Sequence, residues 1–143
     1  KAERAMNKAL KKSVVFAIAV GAIITMAVQS SSITTSLIVP MCGSGILSIE
    51  AAFPVMLGAN IGTTITAFLA SLATDKNGLV IALVHVIFNV IGTIGVLIIP
   101  RARQIPIALA EGLAARAVRN KIWVIAYVFI MFLVIPLLGI LLF

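Results

Sequence analysis

Apolar residues run almost without interruption along this chain, and polar positions gather in clusters that cut it into segments of unequal length. Two uncharged runs, 78–100 and 122–143, reach the length of about 20 residues that a helix needs to cross a hydrocarbon core. Both predict transmembrane helices. Ahead of them, apolar composition holds over 13–28, meets Gln29-Ser30-Ser31-Ser32, resumes at Ile33 and ends at Pro40-Met41-Cys42-Gly43-Ser44-Gly45. Each piece is too short to cross alone. The stretch is either one long helix with a polar stripe or, over 13–47, a re-entrant helical hairpin with its tip at 29–32, entering and leaving on one side. Irregular backbone at membrane depth is tolerated only inside protein or along a water-filled cavity, so a hairpin implies a site.

The next apolar stretch, 49–73, is long enough to span but carries Gly58-Ala59-Asn60-Ile61-Gly62-Thr63-Thr64 at its centre. Two glycines around a helix-capping asparagine predict a broken transmembrane helix whose second half starts near Asn60. Residues 104–118 mix Ile105, Ile107, Leu109, Leu113 and Val118 with Arg, Glu and Gln, which suits an interfacial helix. Trp123 and Tyr127 then anchor the start of the last span. Residues 1–12 alternate basic and apolar positions, with Ala5, Met6, Ala9 and Leu10 facing away from most lysines, and predict an amphipathic interfacial arm.

Composition changes the picture from helices to solvent. Hydrophobic residues make up 62% of the 143, charged residues 10%, and mean hydropathy is +1.25; soluble domains carry about 25% charged residues. The net charge of +7 does not point to nucleic acid, because the charges sit at the ends of apolar runs. Lys1, Arg4, Lys8, Lys11 and Lys12 form one cluster and Arg101, Arg103, Arg116, Arg119 and Lys121 the other. The positive-inside rule places both in the cytoplasm and the Asp75-Lys76 link outside. A hairpin at 13–47 followed by two crossings satisfies that rule; one long helix there would put the clusters on opposite faces. A lone Cys42 excludes an internal disulfide. No cleavable signal pattern is visible. The basic start without an initiator methionine and the apolar end lead us to expect an excerpt of a longer polypeptide.

Two polar clusters remain: Gln29, Ser30, Ser31 and Ser32 with Thr34, Thr35 and Ser36, and Asn60 with Thr63, Thr64 and Thr66. Hydroxyls can simply join transmembrane helices, each hydrogen bond contributing about 0.6 kcal/mol. Two dense clusters, each at a predicted helix break, point further. Helices starting after Ser30 and after Asn60 would offer unbonded N–H groups to an anion. Freed carbonyls, the Gln29 amide oxygen and the hydroxyls would suit a sodium ion. Without a charged side chain in either cluster, an anion would depend on dipoles and co-bound cations. His85 and Asn89, one turn apart in 78–100, fit a supporting role such as bracing the hairpin. Glu50 reads as a membrane-edge charge. Gly43-Ser44-Gly45 with His85 is a weak match to an intramembrane serine protease, because Cys42 stands where the usual loop has its first glycine, and we expect no enzyme.

Gln29-Ser30-Ser31-Ser32, Ser48-Ile49-Glu50-Ala51-Ala52-Phe53-Pro54, Gly58-Ala59-Asn60-Ile61-Gly62-Thr63-Thr64-Ile65-Thr66-Ala67, His85 and Phe88-Asn89 occur in an order and spacing that resembles the type II sodium-phosphate cotransporter family, which includes bacterial members. The likeness is to the second of its two Gln-Ser-Ser-Ser repeats, with Pro106-Ile107, Trp123 and Tyr127 beyond, and covers nearly the whole chain. It implies an all-α integral membrane protein of the cell membrane, one half of an inverted-repeat transporter, normally followed by one more span. It further implies inorganic phosphate as substrate and sodium as coupling ion, with Gln29, Ser30, Ser31, Ser32, Asn60, Gly62, Thr63 and Thr64 lining the site against the other repeat. Thr35, His85 and Asn89 would support it. Sodium is expected at Gln29, Ser31 and Thr64, no other cofactor is expected, and transport would proceed by alternating access. The alternatives are another small anion as substrate, or a channel-like or structural bundle.

Overall fold

Two serines decide where the short apolar helices begin. Ser13 is extended, with φ −136° and ψ 109°, and its hydroxyl accepts the Phe16 N–H at 3.2 Å; Ser30, at −154° and 115°, does the same for Ile33 at 3.4 Å. These are N-caps, which satisfy donors that a helix start leaves free. The computed structural model describes the backbone of residues 2–142 and the side chains of residues 7–142. It is helical throughout: α1 Ala2–Lys12, α2 Val14–Val28, α3 Ser31–Gly43, α4 Ile49–Ser71, α5 Lys76–Ile98, α6 Pro100–Arg119, α7 Ile122–Phe129 and α8 Ile135–Leu142, with a π-helical stretch Ile130–Val134 joining the last two. The expected orientation of Ala5 and Met6, the charges Lys1 and Arg4, and Phe143 lie outside the residues so described.

Three helices are long and apolar enough to cross a membrane: Ile49–Ser71, Lys76–Ile98 and Ile122–Leu142, with mean hydropathies of 1.4, 2.4 and 2.9. α2 and α3 are apolar but shorter. The chain divides into two compact units, Lys1–Pro100 and Arg101–Phe143.

In the first unit α4 is the hub and packs against α1, α2, α3 and α5. Its contact with α2 is backbone to backbone. A Cβ added to Gly21 would overlap the Val55 carbonyl, and one added to Gly58 would overlap the Ile18 carbonyl. One on Gly62 would lie 2.6 Å from the Ala22 oxygen and 3.0 Å from the Thr25 Cβ. Ile18 and Gly21 thus meet Val55 and Gly58, while Ala22 and Thr25 meet Gly62, so α2 and α4 run in the same direction. Small residues allow this approach in lipid, where packing rather than water exclusion holds helices together. Around one end, Leu10, Ala17, Ile38, Leu47, Ala51, Ala52 and Val55 form the apolar core. α1 is tied there by Leu10, by Asn7 Oδ1, which accepts from the Ser48 hydroxyl at 3.3 Å, and by the Lys11–Glu50 pair at 3.3 Å.

The expected break in the second polar segment is absent: α4 is continuous from Ile49 to Ser71. Gly58 and Gly62 face α2 and are occupied by packing, and the threonines turn back onto their own helix. Thr63, Thr64 and Thr66 donate to the carbonyls of Ala59, Ile61 and Thr63 at 3.1, 2.8 and 2.8 Å. With hydroxyls spent on carbonyls, none caps an N–H, and the helix has no reason to restart.

α6 begins at Pro100, the last residue of the first unit, earlier than the expected 104–118, since proline suits a first helical position. Asn120 Oδ1 accepts the Ile122 N–H at 2.9 Å at the start of the last span. The π-helical stretch lies just before Pro136, whose missing N–H and ring disturb the preceding turn. The Arg116 guanidinium lies 5.7 Å from the Trp123 ring centre, a cation–π contact.

Candidate functional site

The chain leaves α2 at Val28 and re-enters helix at Ser31 through Gln29 and Ser30. Gln29 has φ 55° and ψ 25°, and among the described residues it is the one non-glycine with positive φ. Glycine usually fills such a helix-ending position, because a side chain there costs about 1–2 kcal/mol. Gln29 and Ser32 are exposed; Ser30, Ser31 and Thr35 are partly so. The N–H groups of Ser31 and Ser32 open the 13-residue α3, where the helix dipole favours negative charge. The break at residues 29–30 therefore supplies one anion-favouring helix start. The second, expected after Asn60, does not exist.

Beneath the turn lies a buried polar contact that sequence reasoning missed. Thr25 and Thr34 are 0% and 1% exposed, and their hydroxyl oxygens are 2.8 Å apart. Thr34 donates to the Ser30 carbonyl at 3.3 Å, and the Thr34 N–H bonds the same oxygen at 3.3 Å. Either hydroxyl can donate in the Thr25–Thr34 contact; with Thr25 as donor both protons are used, because Thr34 then gives to the Ser30 carbonyl. Thr25 also packs where Gly62 lacks a side chain, so it touches both α3 and α4. Spacing could have found it: Gly21 and Thr25 share a face of α2, as Gly58 and Gly62, four residues apart, share a face of α4.

The remaining candidates lie on α4 and α5. Gly62 is buried in the α2–α4 contact, Thr64 is 1% exposed with its hydroxyl on the Ile61 carbonyl, Thr63 is half-buried, and Asn60 is exposed. Asn89 donates to the His85 carbonyl at 3.2 Å within α5, and the His85 side chain is exposed. α5 packs on α4, and among the described residues no hydrogen bond joins His85 to Ser44. The Ser44 hydroxyl instead donates to the Met41 carbonyl at 3.2 Å, which leaves the serine protease reading without its dyad.

A family profile described as Na+/Pi-cotransporter matches residues 1–140. The chain is 49% identical over 125 residues to sodium-dependent phosphate transport protein 2B of Bos taurus, which covers 85% of this chain and 18% of that protein. It is 45% identical to the Homo sapiens protein 2B, covering 85% and 18%, and 43% identical to protein 2A of Rattus norvegicus, covering 85% and 20%. It thus spans about a fifth of the length of these relatives. No solved structure matches it significantly. With the polar turn and the glycine-packed helix both inside a match that covers nearly every residue, the chain belongs to the Na+/Pi-cotransporter family.

Proposed function

We propose that the full-length protein is a sodium-coupled transporter of inorganic phosphate in the cell membrane, and that this chain supplies one half of its site. The observation that carries the reading is Gln29: a left-handed backbone held by a residue that is not glycine, at the tip of a helical pair. Strain of this kind persists where surrounding structure enforces it and often marks a ligand position. The names of the relatives supply sodium and phosphate as the ligands to test.

In this reading α2 and α3 form a re-entrant hairpin whose turn reaches the membrane midplane. The α3 start and the hydroxyls of Ser30, Ser31 and Ser32 hold phosphate; the Gln29 amide oxygen, with Ser31 and Thr64, holds sodium. Asn60, Gly62 and Thr63 line the α4 side, and Thr35, His85 and Asn89 support it. Gln29, Ser32 and Asn60 are exposed in this chain, which suits a site completed by the other, inverted repeat and worked by alternating access. Hydroxyls and amides bind and release ions without chemical change, so the role is transport and not catalysis.

Because neither polar cluster of this chain contains a basic side chain, sodium would compensate much of the anion's charge, and each ligand should raise the other's affinity by the same factor. Phosphate titrated into the purified full-length protein should bind more tightly in sodium than in potassium or choline at equal ionic strength. Equal affinities would reject charge compensation. In uptake assays Gln29→Ala should weaken sodium activation; the absence of saturable, sodium-dependent phosphate uptake would favour a structural or channel-like bundle instead.

A further inference from the structure

We propose that Thr25 and Thr34 are positioning residues for the sodium site: a buried hydroxyl latch that holds the Gln29–Ser30 turn without touching the ion. The inference rests on the reading of Gln29 as a sodium ligand and assigns a role to residues outside that ligand set.

A left-handed glutamine is not self-sustaining. The neighbouring helices must keep the two ends of the turn at a fixed separation, or the backbone relaxes and the amide oxygen moves. Thr25 lies four residues before Gln29 and Thr34 four residues after Ser30, so each stands one helical turn below the tip, on facing sides of the pair. Their 2.8 Å contact is the one side-chain hydrogen bond between α2 and α3 among the described residues. From it a chain of hydrogen-bond contacts runs upward, from the Thr25 hydroxyl to that of Thr34 and from Thr34 to the carbonyl of Ser30, the residue that caps α3 and follows Gln29. The same carbonyl accepts the Thr34 N–H, so this oxygen already has two protein partners and is less available to a cation than the side chains at the tip. What remains for the ion at the tip is the Gln29 side chain and the serine hydroxyls.

The latch also has a fixed floor. Gly62 leaves the space that Thr25 fills, since a Cβ there would come within 3.0 Å of the Thr25 Cβ. α4 thereby sets the depth of Thr25, and Thr25 sets the position of α3 and the turn. Packing alone would be served as well by valine, which has the shape of threonine without its hydroxyl. A buried hydroxyl pair in a contact that needs none is the feature that calls for a role, because an unmatched hydroxyl there is costly and an apolar pair would be neutral.

Sodium activation of phosphate uptake by the full-length protein in proteoliposomes tests this, read at saturating phosphate with transporter amount measured. Thr25→Val should raise the half-activating sodium concentration about fivefold, the factor set by a hydrogen bond of ordinary net strength, with the maximal rate largely kept. Thr25→Ser should restore parental activation. Thr25→Val combined with Thr34→Val should be no worse than Thr34→Val alone, because both changes break the same bond. Should Thr25→Val fail to reach the membrane, Thr25→Ala reads the same hydroxyl loss without branching. Parental half-activating sodium in Thr25→Val beside an impaired Gln29→Ala overturns the latch alone. Independent, multiplying effects of the Thr25 and Thr34 substitutions, or no rescue by serine, also overturn it. Parental activation in Gln29→Ala would instead overturn the underlying ligand reading, and the latch with it.

Discussion

Two polar interruptions stand in apolar surroundings, and only one of them breaks its helix. At 29–32 there is no glycine, yet the helix ends. At 58–64 there are two glycines and an asparagine, yet the helix continues. The difference lies in what the hydroxyls do. Ser30 accepts an N–H and starts a new helix, whereas Thr63, Thr64 and Thr66 donate to carbonyls of the helix they already occupy. Glycine spaced by four in a membrane helix is a packing stripe first and a hinge only when nothing fills it.

That contrast can be broken most sharply at Gly58. Gly58→Ala should destabilise the full-length protein by about 3 kcal/mol, because the added methyl meets the Ile18 backbone, which cannot rotate away. Thermal unfolding in detergent measures it, and a parental midpoint would mean that the helices do not cross there. Gly62→Ala should cost less, about 1–2 kcal/mol, since its nearest new contact is 2.6 Å from the Ala22 oxygen. Equal losses at the two sites would remove the graded approach seen along the stripe.

At the other interruption the sign reverses. Gln29→Gly should stabilise the fold by about 1 kcal/mol by relieving the left-handed backbone, while sodium-dependent uptake falls. A more stable and fully active variant would show that the amide is not needed. Thr64→Ala removes a hydroxyl already committed to Ile61, so it should cost about 0.6 kcal/mol and alter sodium activation less than Gln29→Ala does. The smallest effect belongs to Lys11→Ala: its partner Glu50 is 3.3 Å away, but both side chains are about half exposed, so a loss under about 0.5 kcal/mol is expected in the same unfolding assay.

The sequence by itself determined that helices long and apolar enough to cross a membrane lie near 78–100 and 122–143, seen as Lys76–Ile98 and Ile122–Leu142, and that a turn lies at 29–32, because these follow from length, apolar composition and capping, all local properties. It determined the family too, through motifs in order along nearly the whole chain. Only the tertiary structure decided that Gly58 and Gly62 pack against α2, that no second helix start exists at Asn60, and that Thr25 meets Thr34 and Gly62. Glycine, asparagine and threonine are compatible with a break or with a close crossing. What selects between them is whether another backbone lies within reach of the glycines, and that neighbour, α2, stands some forty residues away in sequence.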